Sequence, residues 1–145
     1  METKSSTCCA AEAEPVADSC ACSATLRIFG DLPELEEISS ALGLEPTHTH
    51  KKGDSYHPMA PYAHDMWTYA PPVNKSEPLH KHIDALWATL KPHRHYLLKL
   101  KHHATVDVYL DWCLAADASG VELPHKSLEM FSELEIPFGL SVRVT

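Results

Sequence analysis

The sequence predicts an α+β domain: a ferredoxin-like split βαβ (β-α-β-β-α-β) extended by a further β-α-β, with an antiparallel sheet and helices on one face. Three observations predict it. Val106, Val108, Leu110 and Trp112 alternate with Asp107, Tyr109, Asp111 and Cys113, as in a strand with one buried face. Leu79, Ile83, Leu86 and Leu90 recur at helical spacing. Turn residues such as Gly43, Pro71-Pro72 and Pro92 divide the chain into short pieces of these two kinds.

Thr25 to Phe29 alternates in part and ends at Gly30-Asp31, which predicts a first strand. Asp31 offers an N-cap, Pro33 suits a first turn, and Glu34, Glu36 and Glu37 favour the positive end of a helix dipole. The apolar stripe Leu35, Ile38, Ala41 and Leu42 then stops at Gly43, a natural C-cap. Leu44 to Lys52 reads as an edge strand, because Pro46 cannot donate to a ladder. Residues 53–66 read as a long loop, and Met66 to Ala70 as a third strand. A second helix over Leu79 to Leu90 ends at Pro92. His95 to His102 is expected as a fourth strand and Thr105 to Leu114 as a fifth. Asp117 to Gly120 is a turn, Pro124 to Leu134 a third helix, and Phe138 to Val144 a last strand.

Residues 1–23 differ from the rest: they hold four of the five cysteines but no Leu, Ile or aromatic residue. Such a stretch buries too little apolar area to offset the entropy of ordering. The expected organisation is a flexible cysteine-containing tail over 1–23 and a single domain over 24–145. No apolar signal-type run precedes the cysteines, so the chain is expected in the cytoplasm with reduced thiols, away from any membrane.

The formal charge of −8 repels phosphate backbones, which argues against nucleic-acid binding. It suits solubility, or docking on a basic partner protein. Histidine, at 11 residues, is the outlier in the composition. Protonating all of them would reverse the net sign near the ordinary imidazole pKa of about 6.5.

Several of these segments together resemble a known family. Leu26-Arg-Ile-Phe-Gly30, the helix stop Leu42-Gly-Leu-Glu-Pro-Thr47 and His50-Lys-Lys-Gly53 resemble the opening of a bacterial family catalogued as domain of unknown function 4279. Trp67, Leu79-His-Lys-His-Ile-Asp-Ala-Leu86 and Phe138-Gly-Leu-Ser-Val142 continue the likeness over about residues 24–145. The resemblance implies a small stand-alone α+β domain. It implies no reaction, substrate or catalytic residue.

Two sets of residues have metal-ligand chemistry. Cys8, Cys9, Cys20 and Cys22 are soft thiolate donors on one short segment, suited to Zn, Cu(I) or a metalloid, although two C-x-x-C knuckles are absent. His48 and His50, if on a strand, point to one side about 6.6 Å apart, which is chelating geometry. His93 and His95 qualify on the same ground. They would lie on the opposite sheet edge, about 14 Å away across three strand spacings, too far to share an ion. His80 and His82, on a helix, point about 200° apart and do not chelate together.

Catalytic arrangements are weaker. Asp107 and Asp111 would stand about 13 Å apart along a strand, beyond glycosidase geometry. Nothing near Cys113 in sequence would activate its thiol. No phosphate-binding glycine loop and no serine elbow occur. The loop with Tyr56, His57, Tyr62 and His64, followed by Trp67, is the best candidate binding surface, because loops of this length in compact domains tend to be functional. The expected function is that of a non-catalytic binding or interaction module with a protein partner, using this loop and the open sheet face. The alternative is a soft-metal or metalloid binder using the N-terminal cysteines. No other cofactor is expected.

Overall fold

Alternation decides which side of each strand meets the core. The computed structural model describes residues 21–55, 60–114 and 120–144. In β1 (Ser23–Gly30) the side chains of Ala24, Leu26 and Ile28 are fully buried, while Thr25, Arg27 and Phe29 face the other way. In β4 (Thr105–Leu114) Val106, Val108, Leu110 and Trp112 are buried on the same side of the sheet. Between them come β2 (His48–His50) and β3 (Asp65–Tyr69), and β5 (Phe138–Val144) follows β4 in the chain.

The five strands form one sheet in the order β2-β3-β1-β4-β5. β1 lies between β3 and β4, antiparallel to both, and β2 pairs antiparallel with β3. β4 and β5 run parallel, so the sheet is mixed rather than antiparallel throughout. The reason is the helix between them: it carries the chain back to the end from which β4 started, as a parallel neighbour requires.

Among the described residues, all the helices lie on the side of Leu26, Ile28 and Leu110. In α1 (Leu35–Leu42) the apolar stripe buries Ile38 and Leu42, and Gly43 closes the helix in the left-handed conformation at φ 66°. The helix begins after Glu34, so Asp31, expected as its cap, stands in the turn before it. α2 (Leu79–Leu90) buries Leu79, Ile83, Leu86 and Leu90, the four residues that predicted it. A fully buried Leu or Ile contributes about 1.5–3 kcal/mol, so this row alone anchors the helix.

The segment His95–His102, expected as a strand, forms α3 (Arg94–Leu100). Leu97 and Leu100, three apart, are its buried residues. Arg, Leu and Lys are good helix formers, and no β-branched residue occurs in the segment. Pro92 does not end the helical run. It sits in the first turn of a 3-10 helix (Lys91–His93) that leads into α3, a position where a missing N–H costs nothing. The expected helix over Pro124 to Leu134 is a 3-10 turn (His125–Leu128) followed by α4 (Glu129–Leu134). Strand β2 is three residues long, far shorter than the expected Leu44 to Lys52.

The core also reaches further back than expected. Cys22, placed in the tail by its neighbours' composition, is fully buried with Ala24 and Leu26, and Ser23 opens β1. At the far edge, Phe138, Leu140 and Val142 share the core side of the sheet by register with Val108, Leu110 and Trp112, and Val144 follows at the same parity. They remain exposed, and among the described residues no strand pairs with the outer side of β5. No helix among the described residues is long and apolar enough to cross a membrane.

Candidate functional site

Helices cover one face of the sheet, and the residues of opposite parity make the other. Strand register sets them in rows: His48 and His50 on β2, Met66 and Thr68 on β3, Arg27 and Phe29 on β1, Asp107 and Tyr109 on β4, Gly139 and Ser141 on β5. At the centre, Arg27 donates two hydrogen bonds of 2.8 Å to the two carboxylate oxygens of Asp107. Its guanidinium lies 4.7 Å from the centre of the Tyr109 ring and 5.5 Å from that of Phe29. The hydrogen bonds to Asp107 raise the Arg27 pKa, so the cation is permanent. A planar fork held by a carboxylate between two rings loses little freedom on meeting a partner. At the margin Arg143 reaches Asp111 at 3.4 Å and also donates to the Ala21 carbonyl at 3.3 Å. The two aspartates are therefore ion-pair partners of arginines on neighbouring strands.

At the β2 end a second group forms. Gly53 N–H donates to the Tyr62 carbonyl at 3.0 Å, and Tyr62 N–H donates to the Asp54 carbonyl at 2.8 Å. These bonds close the base of the loop as a hairpin, with Gly53 in the left-handed region at φ 93°. The hairpin lays Tyr62 on His50, ring centres 3.4 Å apart and planes 7° from parallel. His50 Nδ1 stands 3.0 Å from His48 Nε2. Burial lowers the His50 pKa, the like charge of His48 lowers it further, and Asp54, Asp65 and a hydrogen bond to the His64 backbone act in the other direction. The Asp65 carboxylate accepts N–H bonds from Lys52 at 2.8 Å and Leu32 at 3.2 Å, tying the loop and the β1–α1 turn to β3. The Lys52 bond is the main reason its pKa lies below the ordinary range.

The structure thus brings together His48, His50 and Tyr62, with His64 nearby, its ring centre 6.4 Å from that of Phe29. It does not place Trp67 with them. Trp67, expected on the binding surface, is fully buried on the helix side, where its indole N–H donates to Ser39 Oγ at 3.0 Å. Strand parity puts it opposite to Met66 and Thr68. Tyr56 and His57 lie outside the described residues, as do Cys8, Cys9 and Cys20. Cys22 is buried and disulfide-bonded, contrary to the expectation of reduced thiols, so it is not a free thiolate ligand. His93 and His95 fall in the 3-10 turn and α3, which removes the strand geometry that made them a chelating pair. Among the described residues no three His, Cys, Asp or Glu side chains gather to hold an ion. Arg27, Phe29, Tyr109 and Gly139 were not singled out by the sequence. The available signal was one Arg in an apolar strand and an Asp on the polar side of another.

No curated protein and no solved structure matches this chain. A family model does match residues 20–145, nearly the whole of the fold just described. By that match the chain belongs to the family described as domain of unknown function (DUF4279).

Proposed function

We propose that the protein is a non-catalytic binding module that docks a basic protein partner on the uncovered sheet face. The observation that carries this reading is Arg27, fixed by two 2.8 Å bonds to Asp107 and flanked by Phe29 and Tyr109 on a face that no helix among the described residues covers. Arginine and tyrosine dominate binding energetics when they are held in place before contact. The formal charge of −8 would steer a basic partner toward the domain. The strand order 2-3-1-4, antiparallel throughout, supports a ferredoxin-like core to which β5 is added on one edge. The alternative role in soft-metal capture has less support, because Cys22 is buried and disulfide-bonded.

The test compares three forms of the full chain in affinity capture from cells: wild type, Phe29→Ser/Tyr109→Ser, and Val144→Ser at the sheet edge. A stoichiometric basic partner should be retained by wild type and Val144→Ser, released by added salt, and lost by the double variant. Full retention by Phe29→Ser/Tyr109→Ser, with its fold intact by circular dichroism, refutes the proposed face.

A further inference from the structure

We propose that His48 and His50 form a two-imidazole site for a divalent transition-metal ion, with Cu(II) and Ni(II) favoured over Zn(II). The two donors project from the same side of β2, with Nε2 of His48 and Nδ1 of His50 3.0 Å apart. With metal–nitrogen bonds of about 2.05 Å, two ligand nitrogens stand about 2.9 Å apart at a right angle and about 3.3 Å apart at the tetrahedral angle. The observed separation matches the right-angle arrangement, which suits the tetragonal preferences of Cu(II) and Ni(II).

The second argument is orientation. A ligating imidazole works best when its other nitrogen is held by a hydrogen bond and its ring cannot swing. His50 meets the second condition. Its ring is stacked at 3.4 Å on Tyr62, which the Gly53–Tyr62 hairpin holds in place. His48 is exposed and free to complete the pair. Asp54 and Asp65 act on His50 as negative charges and would favour an added cation. The site has two protein donors among the described residues, so water or a partner's side chain would fill the remaining positions.

In the absence of a metal the same contact is an imidazole–imidazole hydrogen bond, and the experiment must separate the two roles. The full chain is titrated with Ni(II) by calorimetry, as wild type, His48→Gln, His50→Gln, the double variant, and Tyr62→Leu. Wild type should take up one equivalent that the double variant lacks. Each single histidine variant should bind at least about tenfold more weakly, and Tyr62→Leu about tenfold more weakly through loss of ring orientation alone. Cu(II) loaded at one equivalent should give an electron paramagnetic resonance spectrum with two imidazole nitrogens, lost in the double variant. Equal uptake by wild type and the double variant would overturn the site and leave only the hydrogen bond. Tighter Zn(II) than Ni(II) binding would overturn the right-angle assignment.

Discussion

A β-carbon added at Gly139 would stand 2.9 Å from Cδ1 and 3.0 Å from Cε1 of Tyr109, so the tyrosine ring rests on the glycine backbone of the neighbouring strand. That ring is also one of the two that flank Arg27. Gly139→Ala is therefore expected to push Tyr109 off its seat. Overpacking of this kind costs about 1 kcal/mol, to be read as a lower urea midpoint with an unchanged slope. The variant should also weaken partner capture, because it disturbs the ring without removing it. An unchanged midpoint would show that the ring moves freely.

Asp107→Asn should destabilise the fold by more than an ordinary surface change. It removes the charge that two 2.8 Å bonds from Arg27 depend on. Side-chain exposures of 31% and 14% put the pair between surface and core. The expected loss is about 1–2 kcal/mol, below the range for a fully buried pair because solvent screens the arginine. A double-mutant cycle with Arg27→Met isolates the coupling. Coupling near zero would mean that the pair orders the face without stabilising it.

His82 predicts a pH dependence. It is 2% exposed in α2, its Nε2 lies 3.2 Å from the Glu77 carbonyl, and burial lowers its pKa from 6.5. The Glu77 backbone and carboxylate oppose that shift, and Lys75 adds to it. The folded state therefore binds a proton less readily than the unfolded chain. Its contribution is fully present above the unfolded value of about 6.5, falls as pH drops below that, and levels off below the folded value. Unfolding free energies measured from pH 8 to 5 should decline below pH 6.5. The decline should be shallower in His82→Gln, which keeps a polar side chain near the Glu77 carbonyl and does not titrate. Parallel curves for the two proteins would place the titrating group elsewhere.

Glu135→Gly should raise stability. Glu135 ends α4 at φ 54°, in the left-handed region that a side chain disfavours by about 1–2 kcal/mol. Glycine loses more chain entropy on folding, so the net gain is about 0.5–1 kcal/mol. The last carbonyls of the helix keep their partner, since Lys101 Nζ donates to Leu134 O at 2.9 Å and Glu135 O at 2.7 Å. The measurement is the thermal midpoint, and a decrease would count against the strain.

The local parts of this fold were legible in the sequence. The alternation from Val106 to Trp112 and the four-residue stripe of α2 each depend on near neighbours, and both formed as written. His48 and His50 were legible for the same reason, as two residues apart on one strand. The stretch around Leu97 and Leu100 was not, because its apolar residues fit either period, and only packing against the core selected the helix. The side of Trp67 depended on the strand register, which the loop before it obscured. The central cluster was the least legible part, since Arg27 and Asp107 are 80 residues apart in sequence and meet only when β1 lies beside β4. Each is marked locally only as a charge on the polar side of its strand, which does not name the partner.

The central position of β1 also sets a timetable for assembly. The first strand among the described residues has both of its neighbours encoded far downstream, since Leu26 sits opposite Tyr69 on one side and Val108 on the other. During synthesis its two hydrogen-bonding edges therefore wait, first for β3 and then for β4. Closure over such long intervals makes refolding slow for a chain of this size. It also leaves Leu26-Arg-Ile-Phe29 with unpaired edges and exposed apolar side chains until the sheet closes around it.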